Sequence, residues 1–150
     1  MTSEANEPLS PSKILIVDDN AQNRELLVAY VEGIPNVRTR EAANGLEALA
    51  VVAQDPPDLI LLDIMMPRMS GFEVCRRLKS DPRTRDIPVL MVTALDEVGD
   101  HERAIDSGTD EFLTKPVDRA ELVERVNGLL RLRRVKSRGE ADAADRPEAR

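Results

Sequence analysis

Three runs of four consecutive aliphatic or sulfur-bearing residues, Ile14 to Val17, Leu59 to Leu62 and Val89 to Val92, constrain this chain more than any other feature. Each has the length of a strand, and unbroken apolarity along a strand means that both of its faces are covered. Parallel sheets flanked by helices meet that condition. Helical spacing fills the intervals. Asn20 to Glu32 carries apolar Leu26, Leu27, Tyr30 and Val31, and Gly45 to Gln54 carries Leu46, Leu49, Ala50 and Ala53. Gly71 to Lys79 and Glu97 to Ser107 also read as helices, and a last one opens near Asp118. Val37 to Ala42 alternates with charge and is expected at a sheet edge, while Thr109 to Thr114 is a fifth strand closed by Pro116. Such βα alternation requires right-handed crossovers. The expected fold is a doubly wound five-stranded parallel sheet with helices on both faces.

Composition narrows the classes of function. With 150 residues and 41% hydrophobic content the chain builds one core. Its 28 acidic and 21 basic residues leave a net charge of -7, which opposes nucleic-acid binding by bulk charge. No run approaches the roughly 18 apolar residues of a membrane span, and the opening MTSEANEPLS lacks the pattern of a signal peptide. A cytoplasmic protein without nucleic-acid or membrane partners is expected. The single Cys75 and single His101 exclude an internal disulfide and a His/Cys zinc site. Cys75 shares a helix face with Phe72 and Leu78 and reads as packing, as do the loop methionines Met65, Met66 and Met69. Residues 1–11 read as a disordered arm, 12–130 as the domain, and 131–150 as a basic helix extension followed, from Gly139, by a disordered tail. The last helix should pass Leu130, because Leu122, Val126, Leu129 and Leu132 keep helical spacing.

The strand ends carry the chemistry. Asp18 and Asp19 follow the first run, Asp63 the second, Thr93 ends the third, and Lys115 follows the fifth strand. Ligands of open parallel sheets bind beyond the carboxyl ends of the strands, so these side chains converge. Two like charges 4 Å apart repel by about 4 kcal/mol at an effective dielectric of ~20. A carboxylate trio therefore requires a cation. Lys115 supplies one charge and a hard divalent ion two, with Mg²⁺ the natural choice and Mn²⁺ an acceptable substitute. An ionised aspartate beside a metal, an ammonium and a hydroxyl suits aspartyl-phosphate formation. Blander readings exist for each residue alone: Asp19 or Asn20 as a helix cap, Asp63 as turn chemistry before Pro67 and Gly71, Thr93 as strand, Lys115 as a solvated charge. They leave the coincidence at one rim unexplained.

VDD at 17–19, LLDIMMPRMSG at 61–71, VTA at 92–94 and LTKP at 113–116, in that order, resemble the response-regulator receiver family over about residues 13–130. The resemblance implies a flavodoxin-like strand order 2-1-3-4-5, Asp63 as phosphoacceptor, and Asp18, Asp19, Asp63 and the Met65 backbone carbonyl as Mg²⁺ ligands. It further implies Thr93 as switch hydroxyl, Lys115 as the lysine that meets the phosphoryl group, and Pro116 after a cis peptide that aims Lys115 inward. Phe112 matches the aromatic switch position without a tyrosine hydroxyl, although an aromatic on a terminal strand is also an ordinary core residue. Met65 and Leu95 match the positions flanking the water that hydrolyses the phosphoryl group, and both are apolar. The implied partners are a histidine kinase or histidine phosphotransfer protein, and a downstream protein on the face of the fourth helix, fifth strand and fifth helix, with a homodimer on phosphorylation. Catalysis would be confined to the domain's own modification.

Two alternatives accompany this reading. The chain also resembles receiver portions of larger regulators such as diguanylate cyclases, around DIMMPRMSGFEVCRRLK and TALDE, although a stand-alone receiver is the expectation. A Mg²⁺-dependent phosphohydrolase of the haloacid-dehalogenase kind would want an acid two residues after the nucleophile, where Met65 stands. Nucleotide binding lacks its glycine spacing.

Overall fold

The computed structural model of the protein describes residues 11–94 and 98–145, with side chains described over 11–94 and 102–133. The elements are β1 (Ser12–Val17), α1 (Ala21–Glu32), β2 (Val37–Ala42), α2 (Gly45–Gln54), β3 (Leu59–Leu62), α3 (Gly71–Ser80), β4 (Val89–Thr93), α4 (Val98–Ser107), β5 (Glu111–Thr114) and α5 (Arg119–Asp145). The five strands are all parallel, in the order β2-β1-β3-β4-β5. This is the doubly wound, flavodoxin-like order expected from the sequence.

The unbroken apolar runs are explained by two separate cores. Ile14, Ile16, Leu59, Leu61, Leu90 and Val92 pack with α1 and α5, while their alternate neighbours Leu15, Val17, Ile60, Leu62, Val89 and Met91 pack with α2, α3 and α4. Every one of these side chains is at most 1% exposed, and burial of each contributes about 1.5 to 3 kcal/mol. β2 takes one edge with Arg38 and Arg40 exposed, the charged pattern that discourages edge pairing. Because the chain turns one way from β1 to β2 and the other way from β1 towards β3, a cleft opens beyond the ends of β1 and β3.

Side-chain caps start the helices where polar residues precede apolar periodicity. Asn20 accepts from the Asn23 N–H at 2.9 Å and Asn44 from the Glu47 N–H at 2.8 Å, while Glu47 reaches back to the Ala43 N–H at 2.9 Å. Asn20 therefore caps α1, and Asp19 is left exposed beside the cleft. β5 begins two residues later than expected, because Thr109 spends its hydroxyl on the carbonyls of Val89 and Glu111 at the turn.

α5 runs past Leu130, as its spacing requires, and Leu122, Val126, Leu129 and Leu130 are all buried. Leu132, at the same spacing, is 66% exposed, which marks where α5 leaves the core. The helix also continues through Gly139 to Asp145, over a stretch whose composition suggested an irregular tail. Ala141, Ala143 and Ala144 are the best helix formers, and one interior glycine costs only about 1 kcal/mol. Arg133 fastens this helix to the domain, with Nη1 donating to the Asp86 carbonyl at 3.0 Å and Nε lying 3.5 Å from Asp58.

Lys79 closes the opposite side. Its ammonium donates to the Arg85 and Ile87 carbonyls at 3.1 and 2.8 Å and to Asp110 at 2.9 Å, while Asp110 accepts the Val89 N–H at 2.7 Å. Lys79→Met is expected to cost about 2 kcal/mol, in the range for hydrogen bonds to a charged group. A urea midpoint that falls at unchanged slope would show it.

Candidate functional site

The ladder itself assembles the site. The Asp63 N–H donates to the Val17 carbonyl at 2.9 Å and the Asp18 N–H to the Ala42 carbonyl at 3.2 Å, so the residues ending β1 and β3 sit side by side. Carboxylate oxygens of Asp18, Asp19 and Asp63 all lie within 4.8 Å of one another. Asp18 and Asp63 are buried, and Asp19 is exposed. From the far side, the Lys115 N–H donates to the Thr93 carbonyl at 2.7 Å, carrying the β4–β5 ladder one residue further. The Lys115 ammonium then donates to Asp18 Oδ2 at 3.1 Å and lies 3.9 Å from Asp63 Oδ1. The peptide bond between Lys115 and Pro116 is cis. Thr93 is fully buried at the end of β4, and its side chain acts to lower the Asp63 pKa.

The cluster is electrostatically unbalanced. Burial first, and the charge of Asp18 second, push the Asp63 carboxyl up to about 6. The Lys115 ammonium, the Ile64 N–H and the Thr93 side chain pull it back without cancelling the rise. Three carboxylates against one ammonium leave an excess of negative charge. The donor set is oxygen only, with one open, exposed member, which fits a hard divalent ion that keeps part of its water shell.

Two residues complete the site without having been given a role in it from the sequence. Gly71, the first residue of α3, is pressed against the backbone of Asp63: a Cβ there would lie 2.3 Å from the Asp63 carbonyl oxygen and 2.8 Å from Ile64 Cα. Its N–H donates to the Ile64 carbonyl at 2.9 Å. A glycine at the start of a well-capped helix is a poor helix former, and that mismatch was the available signal. Arg24, one turn into α1, donates through Nη1 to the Asp18 carbonyl at 2.7 Å and through Nε to Glu41 at 3.1 Å. It holds the backbone under the acidic pair. Nothing in the local sequence separates it from a solvated helix arginine.

The remaining expected residues fall into place unevenly. Met65, expected to pack against the sheet with Met66 and Met69, is instead 59% exposed, because it stands in the loop beyond the end of β3. Phe112 is partly buried against the α2, α3 and α4 core, in register with Met91 on β4. Leu95 lies outside the described residues, as does the side chain of His101. Cys75 and Met66 are buried in the core, and Met69 packs against it.

Residues 14–127 match the response regulator receiver domain. The chain belongs to the response regulator receiver family. Among curated proteins it is similar to the response regulator PleD of Caulobacter vibrioides, 48% identical over 124 residues, which are 83% of this chain and 27% of PleD. It is also similar to the DNA-binding dual master transcriptional regulator RpaA of Synechocystis, 44% identical over 119 residues, 79% of this chain and 49% of that protein. The receiver thus spans about half or less of these relatives. Among solved structures it resembles the signal receiver domain of a signal transduction histidine kinase from Syntrophus aciditrophicus, at 38% identity and a TM-score of 0.75, covering 79% of this chain and 89% of that one. The receiver is therefore a domain of two-component signalling. Among its described residues no helix is long and apolar enough to cross a membrane.

Proposed function

We propose that this receiver takes a phosphoryl group onto Asp63 from a partner histidine kinase or histidine phosphotransfer protein. The observation that carries the reading is the meeting of Asp18, Asp19 and Asp63 within 4.8 Å, faced by the Lys115 ammonium. An Asp63 oxygen bonds to phosphorus as the phosphorus–nitrogen bond of the partner's phosphohistidine breaks. The imidazole nitrogen keeps the electron pair and takes up a proton. Asp18, Asp19, Asp63 and the Met65 carbonyl would hold Mg²⁺, or Mn²⁺ in its place, which when bound neutralises charge on the carboxylates and on the transferring oxygens. Lys115 leaves Asp18 to meet the phosphoryl oxygens, and Thr93 donates to them from β4. One charge-assisted bond contributes only about 1.5 to 3 kcal/mol, so the unmodified domain samples the active arrangement. Thr93 drawn towards the phosphoryl group leaves room for Phe112 to move inward, which reshapes the face of α4, β5 and α5 for a downstream partner or a second copy. Catalysis is confined to the domain's own modification, and its setting is the cytoplasm. Residues 12–130 act as the unit, with the basic part of α5 as an extension.

Intact-mass spectrometry after incubation with acetyl phosphate tests this reading. One added phosphoryl group is expected with Mg²⁺ and none with a chelator; labelling indifferent to chelator would overturn it. Removing single residues separates their roles. Asp19→Ala is expected to weaken Mg²⁺ binding at least tenfold by calorimetry, whereas Lys115→Ala should bind the ion normally and fail in its response to the phosphoryl group.

A second reading, in which this receiver is the input end of a larger regulator, is favoured by the 48% identity to a stretch that makes up only 27% of PleD. The same phosphoryl chemistry would then act on whatever follows α5.

The lifetime of the modification should be long. The resemblance gives Met65 and Leu95 the two positions beside the hydrolytic water; Met65 is exposed, and neither apolar residue type can orient a water by a hydrogen bond. The double substitution Met65→Asn and Leu95→Glu is expected to shorten the phosphoryl half-life by roughly tenfold at saturating Mg²⁺. An unchanged half-life would assign the rate to the metal alone.

A further inference from the structure

At the end of the sheet opposite the aspartates, a cavity of about 320 Å³ lies between the last turns of α2 and α3. Leu49, Val52 and Leu78 form its apolar wall, and Arg77, Arg83 and the carboxylate of Asp81 stand at its rim. The volume falls within the range of small-molecule sites. Apolar walls with a few convergent polar groups are also the usual make-up of such sites.

The rim decides the charge of the occupant. Arg77 spends Nε on Glu73 at 2.8 Å, and Arg83 spends Nε and Nη2 on Asp81 at 3.3 and 3.0 Å. Among the described residues, both Nη groups of Arg77 and Nη1 of Arg83 carry no hydrogen bond. Arg76 shares Glu73 with Arg77, so three guanidiniums face two carboxylates. One positive charge is left over at the mouth of an apolar hole, on a protein whose net charge is -7. Unlike the Asp63 cleft, the rim of this cavity favours an anion. A planar guanidinium with free Nη donors suits a carboxylate, sulfonate or phosphate oxygen pair.

We propose that the α2–α3 cavity binds a small organic anion, with an apolar body seated on Leu49, Val52 and Leu78 and its acidic group on Arg77 and Arg83. The site stands apart from the phosphoacceptor reading, since none of these residues touches the aspartate cleft. α3 joins the two, with Gly71 against Asp63 at one end and Leu78 in the cavity wall at the other.

Anilinonaphthalene sulfonate, an apolar body with one anionic group, serves as the probe, titrated into the full chain and followed by amide NMR and fluorescence. Saturable one-to-one binding is expected, with shifts gathered in residues 49–56 and 77–84. Arg77→Glu with Arg83→Glu should weaken it at least tenfold, and so should Ala53→Trp, which fills the cavity from an exposed helix position and leaves the buried core intact. Uncharged phenylnaphthylamine should bind at least tenfold more weakly than the sulfonate. Shifts scattered over the surface, equal binding of the uncharged analogue, or affinity untouched by the arginine and tryptophan substitutions in variants with a native melting profile would overturn the proposal.

Discussion

Asp63→Asn is expected to reduce phosphoryl uptake from acetyl phosphate to background, and to abolish the effect of beryllofluoride, at any Mg²⁺ concentration. The amide keeps the shape of the side chain and removes the nucleophile. No neighbour can take over. Asp18 is as deeply buried, but its Oδ1 accepts the Asn20 N–H at 2.9 Å and its Oδ2 the Lys115 ammonium at 3.1 Å. Asp19 is exposed. The same substitution removes one of two buried like charges, so the metal-free variant should unfold at a higher denaturant concentration than the parent. Intact-mass spectrometry and a urea titration on one preparation measure both effects. Residual labelling in the variant would move the acceptor elsewhere.

Gly71→Ala is expected to be the most damaging methyl group that can be added near the cleft. The new Cβ would stand 2.3 Å from the Asp63 carbonyl oxygen, and its three nearest atoms all belong to backbone, which no rotamer change can relieve. Overpacking of this kind costs about 3 kcal/mol or more, equivalent to a fall in Tm of roughly 10 °C. Relief requires α3 to move off the loop from Ile64 to Ser70, and that loop begins at the acceptor. Mg²⁺ affinity should therefore fall along with stability. Glycine at position 33 makes a contrast: a Cβ there meets the Arg119 guanidinium at 2.8 Å, the far end of a flexible side chain, and Gly33→Ala should be tolerated.

What could be read from the sequence follows from what is local. The three apolar runs specify strands and their double burial, because the period of a strand is a property of consecutive residues. Asp18, Asp63, Thr93 and Lys115 could be placed together because each directly ends or follows a strand, and parallel strands deliver their carboxyl ends to one rim. The gathering of the aspartates then needed no knowledge of helix packing. The contacts of Gly71, Arg24 and Lys79 were illegible for the opposite reason. Their partners, the Asp63 carbonyl, the Asp18 carbonyl and the Ile87 carbonyl, are backbone atoms that carry no residue type to recognise. The end of α5 escaped because charge and alanine describe a helix and a loose tail alike. Phe112 stayed divided between core and switch, and its partial burial against the core is the position from which either role begins.

The length of α5 has a mechanical consequence. At 27 residues the helix is about 40 Å long, roughly twice the length of the six-residue strands beside it. Its first part is seated on the sheet through Leu122, Val126, Leu129 and Leu130, and among the described side chains Arg133 is the outermost fastening, at Asp86 and Asp58. Beyond that pivot about 18 Å of rod continues. A tilt of about 10° at the pivot therefore displaces the tip by about 3 Å, while hardly disturbing the packing beneath it. The domain thereby owns a lever arm, and Asp58 and Asp86, at the end of the sheet farthest from the aspartate cleft, are the hinge pins on which its gain depends.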